Sequence, residues 1–334
     1  MNHLNETFRD KLRSNKSKMS LVAEVCRTRL KEVAKTVHLQ QHFMSCLCVF
    51  YFAFSPVAIF GNLLVIRAIW KASSIPSTLN KLLLSLAISD LAVGVLLQPM
   101  YGIIIALQLN MVDSQFLCPT VLTVHIFITV LLAAASFLTI AAIALDRLLA
   151  ISLHLRYQEL VTPKRAETVM VLLWLSAAVG ASLFVSVPNH NVLVAVVTEV
   201  VGFAVTTVAY FRIYKVVRYH QNQIQSQCQV QNEHAVEAVR VKKSVVNTLY
   251  VYIVFLACYF PLLFSSILLL VDNFKISFLV AYNASGFLVF LNSSLNPFVY
   301  CWRYREIRQI VKNTFRGKCL PSEPPDLTSD GIRM

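Results

Sequence analysis

Apolar residues in this chain come in long runs separated by short polar segments. A run can cross the hydrocarbon of a bilayer when it holds about 20 mainly apolar residues at about 1.5 Å rise each. Seven runs are long enough: Phe43 to Trp70, Leu79 to Leu107, Phe116 to Ile151, Thr168 to Val187, Val192 to Val217, Val245 to Val271 and Ile276 to Trp302. The pattern predicts an all-α membrane protein, a seven-transmembrane helix bundle. The cut between the fourth and fifth runs rests only on Pro188-Asn189-His190-Asn191, so a single longer span or a different break stays open there.

The segments outside the runs complete the organisation. Residues 1–41 are polar and basic and read as an N-terminal tail, and residues 42–302 as the membrane domain. In residues 303–316, Ile307, Ile310, Val311 and Phe315 recur at helical spacing among Arg305, Arg308, Lys312 and Arg316. That pattern predicts a short amphipathic eighth helix lying on the inner leaflet. Residues 317–334, with Pro-Ser-Glu-Pro-Pro-Asp, read as a disordered cytoplasmic tail. Cys319, just past the eighth helix, is a candidate for palmitoylation, with an unmodified thiol as the equal alternative.

Charge then orients the spans. Arg67, Lys71 and Lys81 flank the first loop, Arg156, Lys164 and Arg165 the third, and Arg212, Lys215, Arg218, Arg240, Lys242 and Lys243 the fifth. The alternate loops carry Lys275 with Asp113 and Asp272. The loop-charge bias therefore places the odd loops and the C-terminus in the cytoplasm and the N-terminus outside, as in a multi-pass plasma-membrane protein. The acceptor patterns at Asn5 and Asn15 agree, as glycosylation candidates on an outer segment. Arg27, Arg29, Lys31 and Lys35, close to the first span, run against it.

Composition narrows the class. With 57% hydrophobic and 14% charged residues, the chain is too apolar for a soluble globular domain. The net charge of +13 is spread over segments assigned to the cytoplasm and the tails, so it reads as topology and not as a nucleic-acid surface. The eight cysteines lack the short paired spacings of a zinc site, and no metal is expected from them. The first 40 residues contain no apolar run, so the first span itself is expected to direct insertion.

Polar residues inside apolar spans are costly and call for partners or a function. Asp90 lies midway along the second span. The seventh offers Asn292, Ser293 and Asn296, the third Ser136 and the first Asn62. If they converge, they form a polar pocket able to satisfy a carboxylate and to hold a small cation such as sodium. In the third span His125, Ser136 and Arg147 are 11 residues apart, which puts them on one face at intervals of roughly 16 Å. Asp146 and Arg147 end that span as a charge pair suited to a switch, the alternative being ordinary interfacial charges. Pro261 and Pro297 each remove a backbone hydrogen bond inside a span and are candidate kinks.

One set of residues carries a resemblance. Gly61-Asn62, Leu86 with Asp90, Asp146-Arg147, Trp174, Tyr210, Phe255 with Cys258-Tyr259-Phe260-Pro261, and Asn296-Pro297-Phe298-Val299-Tyr300 together resemble the rhodopsin-like, class A, G-protein-coupled receptors. The likeness covers residues 43–316, and Leu153 to Thr162 resembles the second intracellular loop of invertebrate orphan members. It implies a receptor that is not an enzyme, that takes an extracellular ligand and activates a heterotrimeric G protein, with arrestin a further cytoplasmic partner. Arg147 would leave Asp146 on activation and engage the G protein. Tyr210 and Tyr300 would move in behind it, and Leu155 would plug into the partner. Asp90, Ser136, Asn292, Ser293 and Asn296 match the family's allosteric sodium site.

Departures limit what carries over. Leu148 follows the Asp-Arg pair where tyrosine is usual, His154 stands for a loop proline, Gly202 for the fifth-helix proline, Tyr259 for a tryptophan, and Val241 where many members place an acid that holds the arginine. A loosely held inactive state with basal signalling is the expectation. The family's outer disulfide has no counterpart between Cys118 and Cys228, which leaves Cys118 free or paired with Cys26. The short outer loop and missing proline look like the melanocortin, cannabinoid, lysophospholipid and adenosine receptor branch. Thr129 at the amine-receptor aspartate position speaks against a typical biogenic amine, and Phe290 at the Schiff-base lysine position against retinal. His125, Thr129, Glu199, Tyr259 and Phe287 remain as ligand-pocket candidates. Glu199 would bind a cationic group, pair with His125, or stay protonated within the bundle. Two rival readings stay open. One is a seven-span transporter or ion pump relaying through Asp90 and Glu199; the other is a ligand-independent, basally active or heterodimerising receptor.

Overall fold

The computed structural model of the chain describes residues 40–72, 75–109, 120–153, 156–186, 191–226, 232–271 and 276–316. Asn5, Asn15, Cys26, Cys118, His154, Leu155 and Cys319 lie outside the described residues, as does the side chain of Val241. Among the described residues the secondary structure is helical: α1 Gln41–Lys71, α2 Ser77–Leu109, α3 Thr120–Leu153, α4 Pro163–Ser186, α5 Asn191–Ser226, α6 Asn232–Val271, α7 Ile276–Arg303 and α8 Arg305–Phe315, with a single turn at Tyr157–Leu160. Six of these, α1 to α6, contain windows long and apolar enough to cross a membrane, and α7 completes the bundle. The fourth and fifth runs are separate helices, ending at Ser186 and starting at Asn191. Between the fifth and sixth apolar runs, α5 and α6 extend to Ser226 and from Asn232, because nothing in those polar extensions breaks a helix.

Large apolar side chains point outward along every span. Phe60, Trp70, Leu172, Val179, Leu183, Phe211 and Phe264 are all more than half exposed, an arrangement that suits lipid and not water. The inward faces form two apolar clusters. The one at the end that the loop charges assign to the cytoplasm, the cytoplasmic cluster, joins Val65, Leu83, Ile143, Ile213, Phe255 and Tyr300. The other joins Met44, Tyr51, Leu97, Ile105, Leu132 and Phe290. Along α2, α3 and α7 the polar residues Asp90, Ser136 and Asn292 to Asn296 fall between the members of the two clusters, so a polar layer crosses the bundle.

Several local features set that layer. Within α2 the segment Val93–Leu97 is a π-helical turn just outside Asp90, and the Ser55 hydroxyl donates to the Gly94 carbonyl at 2.9 Å. The bond satisfies a carbonyl at an irregularity that would otherwise be costly in an apolar setting. Gly61 lets α1 lie against α7: a Cβ there would sit 2.8 Å from Pro297 Cγ. That approach brings Asn62 Nδ2 to the Ser293 carbonyl at 2.9 Å. Buried positions on α4 are all alanine, Ala166, Ala177 and Ala181, and Trp174 Nε1 donates to Ser85 Oγ at 3.0 Å.

The eighth helix differs from the expectation in what covers its apolar face. Ile307 and Ile310 are buried in the cytoplasmic cluster, in contact with α1 and α7, while Phe315 is exposed. Part of the face predicted to lie on lipid is therefore a protein contact, because the chain turns at Tyr304 directly beneath the bundle.

Candidate functional site

The Asp146–Arg147 pair is buried near the C-terminal end of α3, with Asp146 6% and Arg147 3% exposed. Arg147 Nε donates to Asp146 Oδ2 at 3.0 Å, and Nη2 reaches the same carboxylate. Tyr157, in the helical turn after α3, donates its hydroxyl to Asp146 Oδ1 at 2.6 Å and bonds Thr78 Oγ1 at 2.8 Å. Burial and then the bond to Asp146 push the Tyr157 phenol up to about 12, so it stays a donor at neutral pH. The carboxylate is thus held on both oxygens. Neither Tyr157 nor Thr78 was among the sequence candidates. Their polar groups are unexceptional until the loop folds one back beside the other.

In the polar layer Asn296 Nδ2 donates to Asp90 Oδ2 at 2.7 Å, and Ser293 lies beside the same carboxyl. Asp90 Oδ1, Asn292 Oδ1 and Asn296 Oδ1 are buried without a protein donor. Ser136 lies in the layer, but its hydroxyl bonds Ser89 at 3.0 Å. Asn62 bonds the backbone of α1 and α7. Tyr300 is fully buried below the layer, its hydroxyl without a partner. Pro261 and Pro297 sit inside α6 and α7, as the spacing requires.

Above the layer a cavity of ≈ 20 Å³ is lined by Thr129, Leu132, Ser136, Tyr259, Phe290 and Ser293, among others. That is room for about one water. Of the ligand-pocket candidates, Thr129 and Tyr259 reach this cavity. Tyr259 stacks on Phe255, ring centroids 4.0 Å apart, and Phe255 contacts Phe137 and Phe203. His125 is buried against Tyr101, rings stacked at 5.2 Å, and Tyr101 donates to Asn283 Oδ1 at 3.1 Å. Phe287 faces α1, packing on Phe50, Tyr51 and Phe54. Glu199 shares the inward stripe of α5 with Phe203, Thr206, Tyr210 and Ile213. The structure does not join it to His125: Glu199 Oε2 and His125 Nε2 are both buried without a partner.

Sequence comparison adds three likenesses. Residues 61–194 and 186–300 match the family described as 7 transmembrane receptor (rhodopsin family). The chain is 28% identical over 313 residues to the adenosine receptor A2a of Homo sapiens, an alignment spanning 82% of this chain and 73% of that receptor, and it matches the receptor of Canis lupus familiaris to the same extent. It is also 28% identical over 185 residues to a D(2)-like dopamine receptor of Takifugu rubripes, spanning 50% of this chain and 39% of the relative.

Proposed function

Because the chain belongs to the rhodopsin family of seven-transmembrane receptors, it is a multi-pass membrane protein that couples an extracellular ligand to a G protein, and we propose that its switch is the Asp146–Arg147 pair. The observation that carries this reading is the enclosure of Arg147. It is held by a carboxylate that Tyr157 and Thr78 steady from the other side. A bundle that opens at its inner end must take Arg147 off Asp146. A buried guanidinium then seeks another acceptor, and the C-terminal carbonyls of a G-protein α subunit supply one. Tyr210 and Tyr300, both buried in the same cluster, close in behind it. The orientation follows the loop charges, with this end in the cytoplasm of a plasma-membrane receptor.

The input is a ligand entering from the outer side towards Thr129 and Tyr259. The cavity there admits about one water, so an agonist must displace Tyr259 to bind. Displacing Tyr259 disturbs the Phe255–Phe137–Phe203 packing below it, which joins ligand entry to movement of α6 about Pro261. The relatives are an adenosine and a dopamine receptor, whose ligands differ, so the chemistry of this chain's own residues decides. Glu199, with its unpartnered oxygen, favours a ligand bearing a cationic group; adenosine is the neutral comparison. The decisive measurement is nucleotide exchange on a panel of purified heterotrimers, with the receptor in nanodiscs. Exchange above that of empty nanodiscs for at least one heterotrimer is expected, and none on any heterotrimer, with or without these ligands, would remove the proposal.

The polar layer fits an allosteric sodium ion. Its three unpartnered oxygens, on Asp90, Asn292 and Asn296, are hard donors around one carboxylate, the set an alkali cation takes. When bound, the ion supplies positive charge that favours the closed packing of α2, α3 and α7. Ser293 orients the carboxyl, and Ser136 closes the layer from α3. Sodium chloride in place of N-methylglucamine chloride is then expected to lower basal exchange several-fold in the native chain. Asp90→Asn should abolish that difference; a sodium effect of the same size in the Asn variant would remove Asp90 from the site.

A further inference from the structure

Tyr252 on α6 is buried, 3% exposed, in the cytoplasmic cluster. Its ring lies on that of Tyr210 at a centroid distance of 4.5 Å and an interplanar angle of 16°. Its hydroxyl meets Thr207 Oγ1 at 2.7 Å. Thr207 and Tyr210 are three residues apart on α5, so one side chain of α6 grips two consecutive turns of α5.

We infer that Tyr252 is a positioning residue for the switch, a latch that holds Tyr210 against α6 and keeps the inner end of the bundle closed. The inference rests on the receptor reading above and adds the element that restrains it. Tyr252 lies nine residues before Pro261 in the chain, about 14 Å down the helix on the cytoplasmic side of the kink. Any outward swing about Pro261 therefore carries the Tyr252 ring away from α5 and breaks both contacts together. Tyr210 cannot turn inward to Arg147 while its ring is stacked on Tyr252, so release of the latch and arrival of Tyr210 are one event. The hydroxyl contact is short and placed in an apolar setting where water does not compete for it. Val241 stands where many members carry an arginine-locking acid. The structure provides a different restraint, about three turns of helix nearer the kink than Val241, and it uses no charge.

The test separates the hydrogen bond from the stack. Tyr252→Phe keeps the ring and loses the hydroxyl; Thr207→Val removes the other half of the same bond; the double variant completes a cycle. Each is made in the full chain in nanodiscs. Two readouts are taken: basal nucleotide exchange, and the distance distribution between spin labels at positions 164 and 243, which reports the opening of α6 with no G protein present. Each single variant is expected to raise the open-to-closed ratio about fivefold, the weight of one neutral hydrogen bond. The double variant is expected to rise no further, because both changes remove one bond. Thermal stability checks that all three are folded. Unchanged distances and unchanged exchange in Tyr252→Phe, with exchange by the native chain abolished in Arg147→Ala, would overturn the latch and leave the receptor reading intact. Shifted distances with no exchange on any heterotrimer would support the latch and fail the receptor reading instead. A double variant twice as open, on the logarithmic scale, as either single would overturn the pairing of Thr207 with Tyr252.

Discussion

Arg147→Ala is expected to reduce G-protein nucleotide exchange by about 10- to 100-fold, the weight of charge-assisted hydrogen bonds at about 1.5–3 kcal/mol. The effect has two parts that the structure keeps apart. In the closed bundle the guanidinium satisfies Asp146 Oδ2, and its removal leaves that oxygen without its cation while Oδ1 keeps Tyr157. This loosens the closed state and by itself would raise basal activity. In the open bundle, on the proposed reading, the guanidinium is the donor offered to the G protein, and alanine offers none. The second part wins, because a receptor that opens without its donor still makes no productive contact. The measurement is exchange by the purified receptor at matched density in nanodiscs, with binding of the heterotrimer as a second reading. Equal exchange from the native and alanine forms would sink the assignment. Arg147→Lys separates charge from geometry: lysine keeps the charge but lacks the planar fork, so only partial recovery is expected.

Gly202→Val is expected to lower the stability of the folded bundle by about 2–3 kcal/mol, through overpacking at the α3–α5 contact. An added Cβ at this position would lie 1.8 Å from Phe137 Cε1 and 2.3 Å from Cζ. Phe137 has little room to retreat, since its ring is packed edge-on to Phe203 at 5.4 Å and tilted against Phe255 at 5.3 Å. Valine is a better helix former than glycine by less than about 1 kcal/mol, so the steric cost exceeds the propensity gain. Heat denaturation of the purified protein reads the change. A second substitution, Phe137→Leu, should recover part of the loss by vacating the space the valine needs. A Gly202→Val protein as stable as its parent would show that α5 stands off from α3 more than the structure has it. The position matters for signalling too: Phe137, Phe203 and Phe255 lie between Tyr259 and the Tyr210–Tyr252 stack.

Features legible in the sequence and features that were not differ in the kind of force involved. The spans were legible because burial in hydrocarbon acts on each run of apolar residues separately, and a run of sufficient length crosses the bilayer whatever its neighbours do. The polar layer was legible for a related reason: Asp90, Asn292 and Asn296 are too costly in an apolar span to lack partners, and Asn296 is the partner Asp90 finds. The inward stripe of His125, Ser136 and Arg147 followed from helical spacing and is buried throughout. Contacts that depend on how one helix is rotated against the next were not legible. Phe287 packs against α1, Ser136 bonds Ser89, and His125 and Glu199 do not meet. Each of these turns on a few tens of degrees of helix rotation, which the close approaches at Gly61 and Gly202 set.

The same division holds for the stretch on which the switch depends. By itself the sequence determined that a charge pair ends the third span, that a carboxylate lies midway along the second, and that seven apolar runs carry them. Local composition and a 3.6-residue repeat are enough for that. Only the tertiary structure decided that Tyr157 and Thr78 hold the far side of Asp146, and that Tyr252 grips Thr207 and Tyr210. Those partners lie 79, 11 and 45 residues apart in the pairs they form. A hydroxyl carries no mark in sequence of which distant oxygen it will meet; side-chain packing between helices makes that choice.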